Sequence, residues 1–167
     1  MSRSGGLSPY CMGLLLMTMF GQTSNIMLHL PTRAYMALSQ NVVDMSKQAP
    51  MIEEPPLSIV NPADGTTVET GYARAAIGLG DPQAEDQSWA ESGISGIVNI
   101  SEIRFPTATY SWGSLKFWAL LDDDEYKRGN VLAYGALSEA TIIAAGDTII
   151  VPPGSIRISL DSYDMEW

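Results

Sequence analysis

One cysteine and one histidine are all the thiol and imidazole chemistry the chain carries. With Cys11 alone, an internal disulfide and a cysteine-built zinc cage are both excluded. A Ser-His-Asp triad or a Cys-His dyad would have to use His29, close to Pro31, and no serine sits in a G-x-S-x-G elbow. A lone histidine at a helix end reads as a cap or a packed residue, so no catalytic residue is assigned and an enzyme is not expected.

Positive charge is scarce too. Lys and Arg number 9 against 19 carboxylates, a formal charge of -10, so a phosphate backbone is repelled and no nucleic-acid partner is expected. Charged residues are only 17% and hydrophobic ones 46%. That composition suits a subunit packed against neighbours, or simply a β protein rich in Ser, Thr and Gly. Long hydrophobic runs are missing: the most apolar stretch, Tyr10 to Phe20 (YCMGLLLMTMF), is shorter than the about 20 residues that cross a bilayer. No small-x-small cleavage site follows it cleanly, so a buried helix is expected there and no membrane partner. There is no heptad series and no solenoid or propeller period, which excludes a coiled-coil shaft.

What the chain does have is short pleated runs between turn signals. Ser8-Pro9 can cap and open a helix over about Tyr10 to Leu30, bent near Gly21 and stopped by Pro31. Its first half is apolar on nearly all sides and needs cover on all sides. Met12, Leu15, Leu16, Met19 and Phe20 are therefore candidate interface residues, joined by Met51 and Ile52 from the proline-rich loop 40–56, a candidate contact arm. Arg33 to Ser39, Val68 to Leu79 and Ile97 to Phe105 read as strands, the last with a bulge where its apolar phase shifts between Ile100 and Ile103. A second loop, 80–96, surrounds Trp89. Leu115 to Leu121, Val131 to Leu137, Thr148 to Val151 and Ser155 to Leu160 follow as short strands, with Pro152-Pro153-Gly154 as a hairpin turn between the last two. The reading is a mainly β, antiparallel β-sandwich with an N-terminal apolar helix: residues 1–31 form a lead and docking helix, and residues 32–167 a single β-sandwich domain.

Several residues have fold-defining roles on physical grounds. Phe105-Pro106 ends a strand because proline has no N–H and restricts the residue before it. Trp112 plugs the end of the sandwich while Gly113 lets the chain reverse. Trp118 packs in the core or at an interface, Tyr72 lies on a strand face with Arg74, and Gly146-Asp147 makes a tight turn. Asp122, Asp123, Asp124 and Glu125 lack the alternating spacing of a calcium loop, and Lys127 and Arg128 follow at once, so a solvated connection is expected and no metal or cofactor is assigned. Asn99-Ile100-Ser101 matches a glycosylation sequon. Trp89, Trp112, Trp118 and Trp167 could in principle stack on sugars.

From Gly71 onward the motif order resembles a family of small tailed-phage structural proteins, usually labelled tail fibre or minor virion protein. The matching stretches are GYARAAI (Gly71 to Ile77), IRFPTATYSWG (Ile103 to Gly113), FWALLDD (Phe117 to Asp123), GNVLAYGAL (Gly129 to Leu137, with Tyr134 and Gly135) and AAGDTIIVPPGSIRISLD (Ala144 to Asp161). The apolar opening followed by LPTRAYMALS resembles it more weakly. The chain departs from the pattern in its longer 40–56 loop, its DDDEYKRGN connection and its tail beyond Leu160. The resemblance implies a virion component, made in the bacterial cytoplasm, that assembles with other virion proteins as a tail fibre, baseplate or collar subunit and as a homo-oligomer. A trimeric capsid decoration protein and a carbohydrate-binding receptor module are the alternatives.

Overall fold

The computed structural model describes residues 6–19, 33–41, 52–78, 89–91 and 96–159. They are mainly β, and every strand pairing is antiparallel. In chain order the elements are β1 (Gly6–Leu7), α1 (Pro9–Met19), β2 (Arg33–Ser39), β3 (Ser58–Val60), β4 (Thr67–Glu69), β5 (Ala75–Gly78) and β6 (Trp89–Glu91). They continue with β7 (Gly96–Asn99), β8 (Ile103–Thr107), β9 (Gly113–Leu121), β10 (Val131–Ile143), β11 (Thr148–Val151) and β12 (Arg157–Ser159). A five-stranded sheet runs β1-β10-β9-β2-β5; beside it lie the ribbon β11-β8, the three-stranded sheet β12-β7-β6 and the hairpin β3-β4.

The period-2 alternation of RAYMALS explains β2. Ala34, Met36 and Leu38 face the main core, while Ala37, on the opposite face, joins a second cluster with Ile52, Ala119, Leu121 and Val131. β2 is paired along both edges, with β9 and β5, and carries a buried cluster on each face, so its register is tightly specified: Met36 pairs with Leu120 and Leu38 with Trp118. The main core draws Met36, Leu115 and Leu120 from the five-stranded sheet and Ile103 and Phe105 from β8. Each such fully buried side chain contributes about 1.5–3 kcal/mol of hydrophobic stabilisation.

Several strands differ from expectation. The stretch Val68 to Leu79 is two strands, not one. It breaks at Thr70–Arg74, where Gly71 has φ +73 and lies so close to the Thr107 carbonyl that an added Cβ would sit 3.0 Å from it. Ile97 to Phe105 is likewise split, into β7 and β8, which belong to different sheets. Pro152-Pro153-Gly154 does not close a hairpin: β11 pairs with β8 and β12 with β7, so two interrupted strands run side by side. Thus Gly146-Asp147 turns the chain from β10 into a strand that pairs elsewhere.

Pro106 does not end β8, which continues to Thr107. β8 is an edge strand in its two-stranded ribbon, and Phe105-Pro106 lies opposite a register shift between Thr148 and Ile150, where no proline donor is required. β10 reaches Ile143, past the expected Leu137, because Leu137 to Ala140 bulge out against Lys116 alone before pairing resumes at Thr141. The expected loop 80–96 contains a strand, β6, which adds to β7. The expected continuation of the helix to Leu30 lies outside the described residues.

Candidate assembly interface

α1 is rooted in the body by one serine. Ser8 is fully buried; its N–H donates to the Leu132 carbonyl of β10 (2.9 Å). Its Oγ accepts from the Cys11 N–H (3.0 Å) and its carbonyl from the Met12 N–H (2.9 Å), so Ser8 is the N-cap. Pro9 follows at the first helical position, where no N–H is required. Beyond this root, Tyr10 (42%), Met12 (42%), Leu15 (39%) and Leu16 (55%) are exposed, and α1 contains no charged residue. Exposed apolar groups without a charge among them make this part of α1 a candidate contact surface. The half-buried Cys11 thiol is held above its ordinary pKa by burial. The Tyr10 phenol is held up as well, first by burial and then by the nearby Asp122 carboxylate.

Of the candidate interface residues, Met12, Leu15 and Leu16 are exposed on α1. Ile52 is not: it is 7% exposed and packs on Ala37, Ala119, Leu121 and Val131, a core residue of this chain. The cause is its neighbours, since the Gln40 N–H donates to the Glu53 carbonyl (3.1 Å) and closes the base of the 40–56 loop against the sheet. The side chain of Met19, and Phe20 and Met51 entirely, lie outside the described residues.

The described residues also hold a buried polar network that sequence reasoning missed. Arg74 Nε and Nη2 donate to Glu54 Oε1 and Oε2, both at 2.8 Å, and the two side chains are 2% and 0% exposed. Nη1 donates to the carbonyls of Asp123 (2.6 Å) and Arg128 (2.9 Å). The Lys127 N–H and the Tyr72 hydroxyl, both at 3.0 Å, donate to the same Glu54 carboxylate, and the Tyr72 oxygen accepts from the Leu38 N–H (3.2 Å). Burial would lower the Arg74 pKa, but hydrogen bonding and charge pairing with Glu54 outweigh it and hold the guanidinium charged. Burial, then the Glu54 carboxylate, hold the Tyr72 phenol well above its ordinary range. A charged residue inside GYARAAI and a glutamate before Pro55-Pro56 were the available signals.

This network gives the acidic connection its shape. The Asp122 carboxylate accepts from the Asn130 N–H (2.6 Å) and Nδ2 (2.9 Å), Asp123 Oδ1 accepts from the Glu125 N–H (2.8 Å), and Arg128 pairs with Glu125. The four-residue acidic run is therefore a folded hairpin connection between β9 and β10. Among the described residues no three Cys, His, Asp or Glu side chains gather as a metal cage.

The remaining fold-defining residues work by close packing. Trp112 is 1% exposed, donates Nε1–H to the Thr70 carbonyl (2.9 Å) and meets Tyr72 edge to face at 5.3 Å and 89°. Gly113 has φ +79. Trp118 lies over Gly135, and Tyr134 is half-buried on the opposite face against the second cluster. Gly146 has φ +92 and donates to the Ala108 carbonyl (2.7 Å), while the Asp147 carboxylate accepts from the Ala144 N–H (2.8 Å). The side chain of Trp89 and all of Trp167 lie outside the described residues.

The family model described as "Podophage GP4 fiber I protein gp80" matches residues 6–159, nearly the whole chain. No curated protein matches.

Proposed function

The chain belongs to the podophage GP4 fiber I protein gp80 family, and from that premise we propose that it is a non-catalytic fibre subunit that docks onto its virion neighbours through α1. Family membership makes it a tail-fibre-type structural protein of the virion, interacting with other virion components. In the proposed arrangement the five-stranded sheet and the β8-β11 ribbon are the two layers of a sandwich that acts as a rigid body. The single observation that carries the docking role is the surface of α1, where Tyr10, Met12, Leu15 and Leu16 stand exposed on a helix anchored by a buried N-cap. Exposed side chains contribute little to the fold, so this surface gains stability only when another protein covers it.

The test is a charge placed on that surface. Leu16→Glu should leave the circular dichroism and melting temperature of the isolated protein within a few degrees of the parent, because Leu16 is already 55% exposed. The same variant should be missing from purified particles. Incorporation at the parental copy number would overturn the docking role.

A further inference from the structure

Among the described residues the strands of the hairpin β3-β4 pair only with each other. Its tip is fixed: the Asn61 N–H donates to the Thr66 carbonyl (2.7 Å) and the Gly65 N–H to the Asn61 carbonyl (2.8 Å). The Asp64 carboxylate accepts from the Thr66 N–H (3.0 Å) and Oγ1 (2.7 Å). Its base is fixed too, by the Thr70 N–H on the Leu57 carbonyl (2.8 Å). A two-stranded hairpin alone is marginal in water, and this one leaves Val60 65% and Leu57 41% exposed.

The bonded phase of the ladder follows from those contacts. Leu57 bonds to Thr70 and Asn61 to Thr66, so antiparallel alternation makes Ile59 and Val68 the bonded pair between them. The N–H and C=O groups of Ser58 and Val60 therefore point away from β4. On the other edge Glu69 points outward, but its carbonyl accepts from Thr109 Oγ1 (2.7 Å). Among the described residues no group reaches the β3 edge. Pro56 and Pro62 occupy the next positions of the same parity, and neither has an N–H to donate. An added strand can therefore form its ladder only across Ser58 to Val60.

We propose that this edge pairs antiparallel with the same edge of a second copy, about a two-fold axis at Ile59, to make a four-stranded sheet across a dimer. In that register Ser58 of each copy faces Val60 of the other and both outward pairs bond. Pro56 faces Pro62, so no N–H is stranded there; the Pro56 carbonyl already accepts from Thr70 Oγ1 (2.5 Å), and the carbonyl of the exposed Pro62 is left to water. The segment from Pro55 to Ala63 has no charge in a chain of net charge -10, so no like charges oppose. The contact is isologous and closes as a dimer, unlike the trimer expected of a head decoration protein. It goes beyond the fibre role and does not depend on α1.

Sedimentation of the full chain over a range of concentrations tests it. The parent should dimerise, and Val60→Pro, which removes one outward donor per copy, should weaken the dimer about tenfold or more. Thr67→Pro, the same change on the β4 edge, should leave it intact. In a Cys11→Ser background, Ile59→Cys should form a cross-linked dimer on mild oxidation, because the two-fold places the two residues 59 directly opposite, about 4.5 Å apart at Cα. A parent monomeric up to millimolar concentration, a dimer unmoved by Val60→Pro, or no cross-link at Ile59→Cys would overturn the proposal. Loss of particle incorporation by Leu16→Glu bears only on α1, so the two readings fail separately.

Discussion

The guanidinium of Arg74 and the carboxylate of Glu54 meet in two parallel hydrogen bonds of 2.8 Å, sealed from solvent, and this pair joins three parts of the chain distant in sequence. Glu54 belongs to the base of the 40–56 loop, Arg74 to the break between β4 and β5, and the carbonyls of Asp123 and Arg128 to the β9-β10 connection. Desolvating two charges is expensive, and the geometry offsets that cost only because nearly every donor and acceptor of the pair is used.

Removing one member should therefore hurt more than removing both. Glu54→Gln or Arg74→Met is expected to cost about 3–5 kcal/mol, since each leaves an uncompensated or half-bonded polar group in the interior. The double variant Glu54→Leu, Arg74→Met should recover part of that loss. Urea denaturation midpoints of the two singles and the double check this; additive losses would show that the pair is not coupled.

Alkaline pH should weaken the fold through Tyr72. Its folded-state pKa is raised well above the ordinary value of 10.0, so the folded protein holds the phenolic proton more tightly than the unfolded chain does. The stabilisation is complete below pH 10 and is lost as pH rises from there toward the folded-state value. Tyr72→Phe should lower stability at neutral pH, because the Glu54 and Leu38 bonds are lost, and flatten the decline above pH 10. Melting curves taken from pH 7 to 11 would show it.

How much of this was legible depended on whether a signal was local. β2 has the bounds that the alternation of RAYMALS indicates and β11 those of the short β-type run TIIV, because each has clear stops at both ends. The shift of apolar phase between Ile100 and Ile103 was visible, but not that β11 and β12 break in step with it, since strand partners are chosen by tertiary packing. Glu54 and Arg74 were silent as a pair: 20 residues separate them, and nothing in a single sequence says that two charges will be buried together. Ile52 looked like an arm residue because prolines surround it, while the Gln40 to Glu53 bond that folds it back is long-range.

Gly135 measures how tightly the five-stranded sheet is packed. A Cβ there would lie 2.7 Å from Trp118 Cζ2, inside any real contact distance, and the indole is held across the β9-β10 pairing of Gly135 with Trp118. Gly135→Ala is expected to cost about 1–3 kcal/mol by overpacking. Trp118→Leu should reduce that penalty when combined with it, and a double-mutant cycle on thermal unfolding reads the coupling.

Asn99 decides whether the two interrupted strands stay in step. Its backbone N–H donates to the Ile156 carbonyl (3.2 Å) and its carbonyl accepts from the Gly154 N–H (2.7 Å). Nδ2 donates to the carbonyls of Ser101 (3.0 Å) and Pro152 (2.9 Å), and Oδ1 accepts from the Ile156 N–H (2.8 Å). One residue, 1% exposed, thereby satisfies backbone groups on both sides of the gap between the β7-β12 and β8-β11 pairings. Asn99→Asp exchanges a two-proton donor for an acceptor facing two carbonyls and should cost about 3 kcal/mol or more, exceeding Asn99→Ala. Hydrogen exchange should then quicken at Val98 and Ile158 while Leu120 and Ala133, in the five-stranded sheet, stay protected. The burial also closes the sequon: expressed through a eukaryotic secretory route, the folded chain should stay unmodified at Asn99, and a glycan found there by mass spectrometry on a folded sample would contradict this account of the joint.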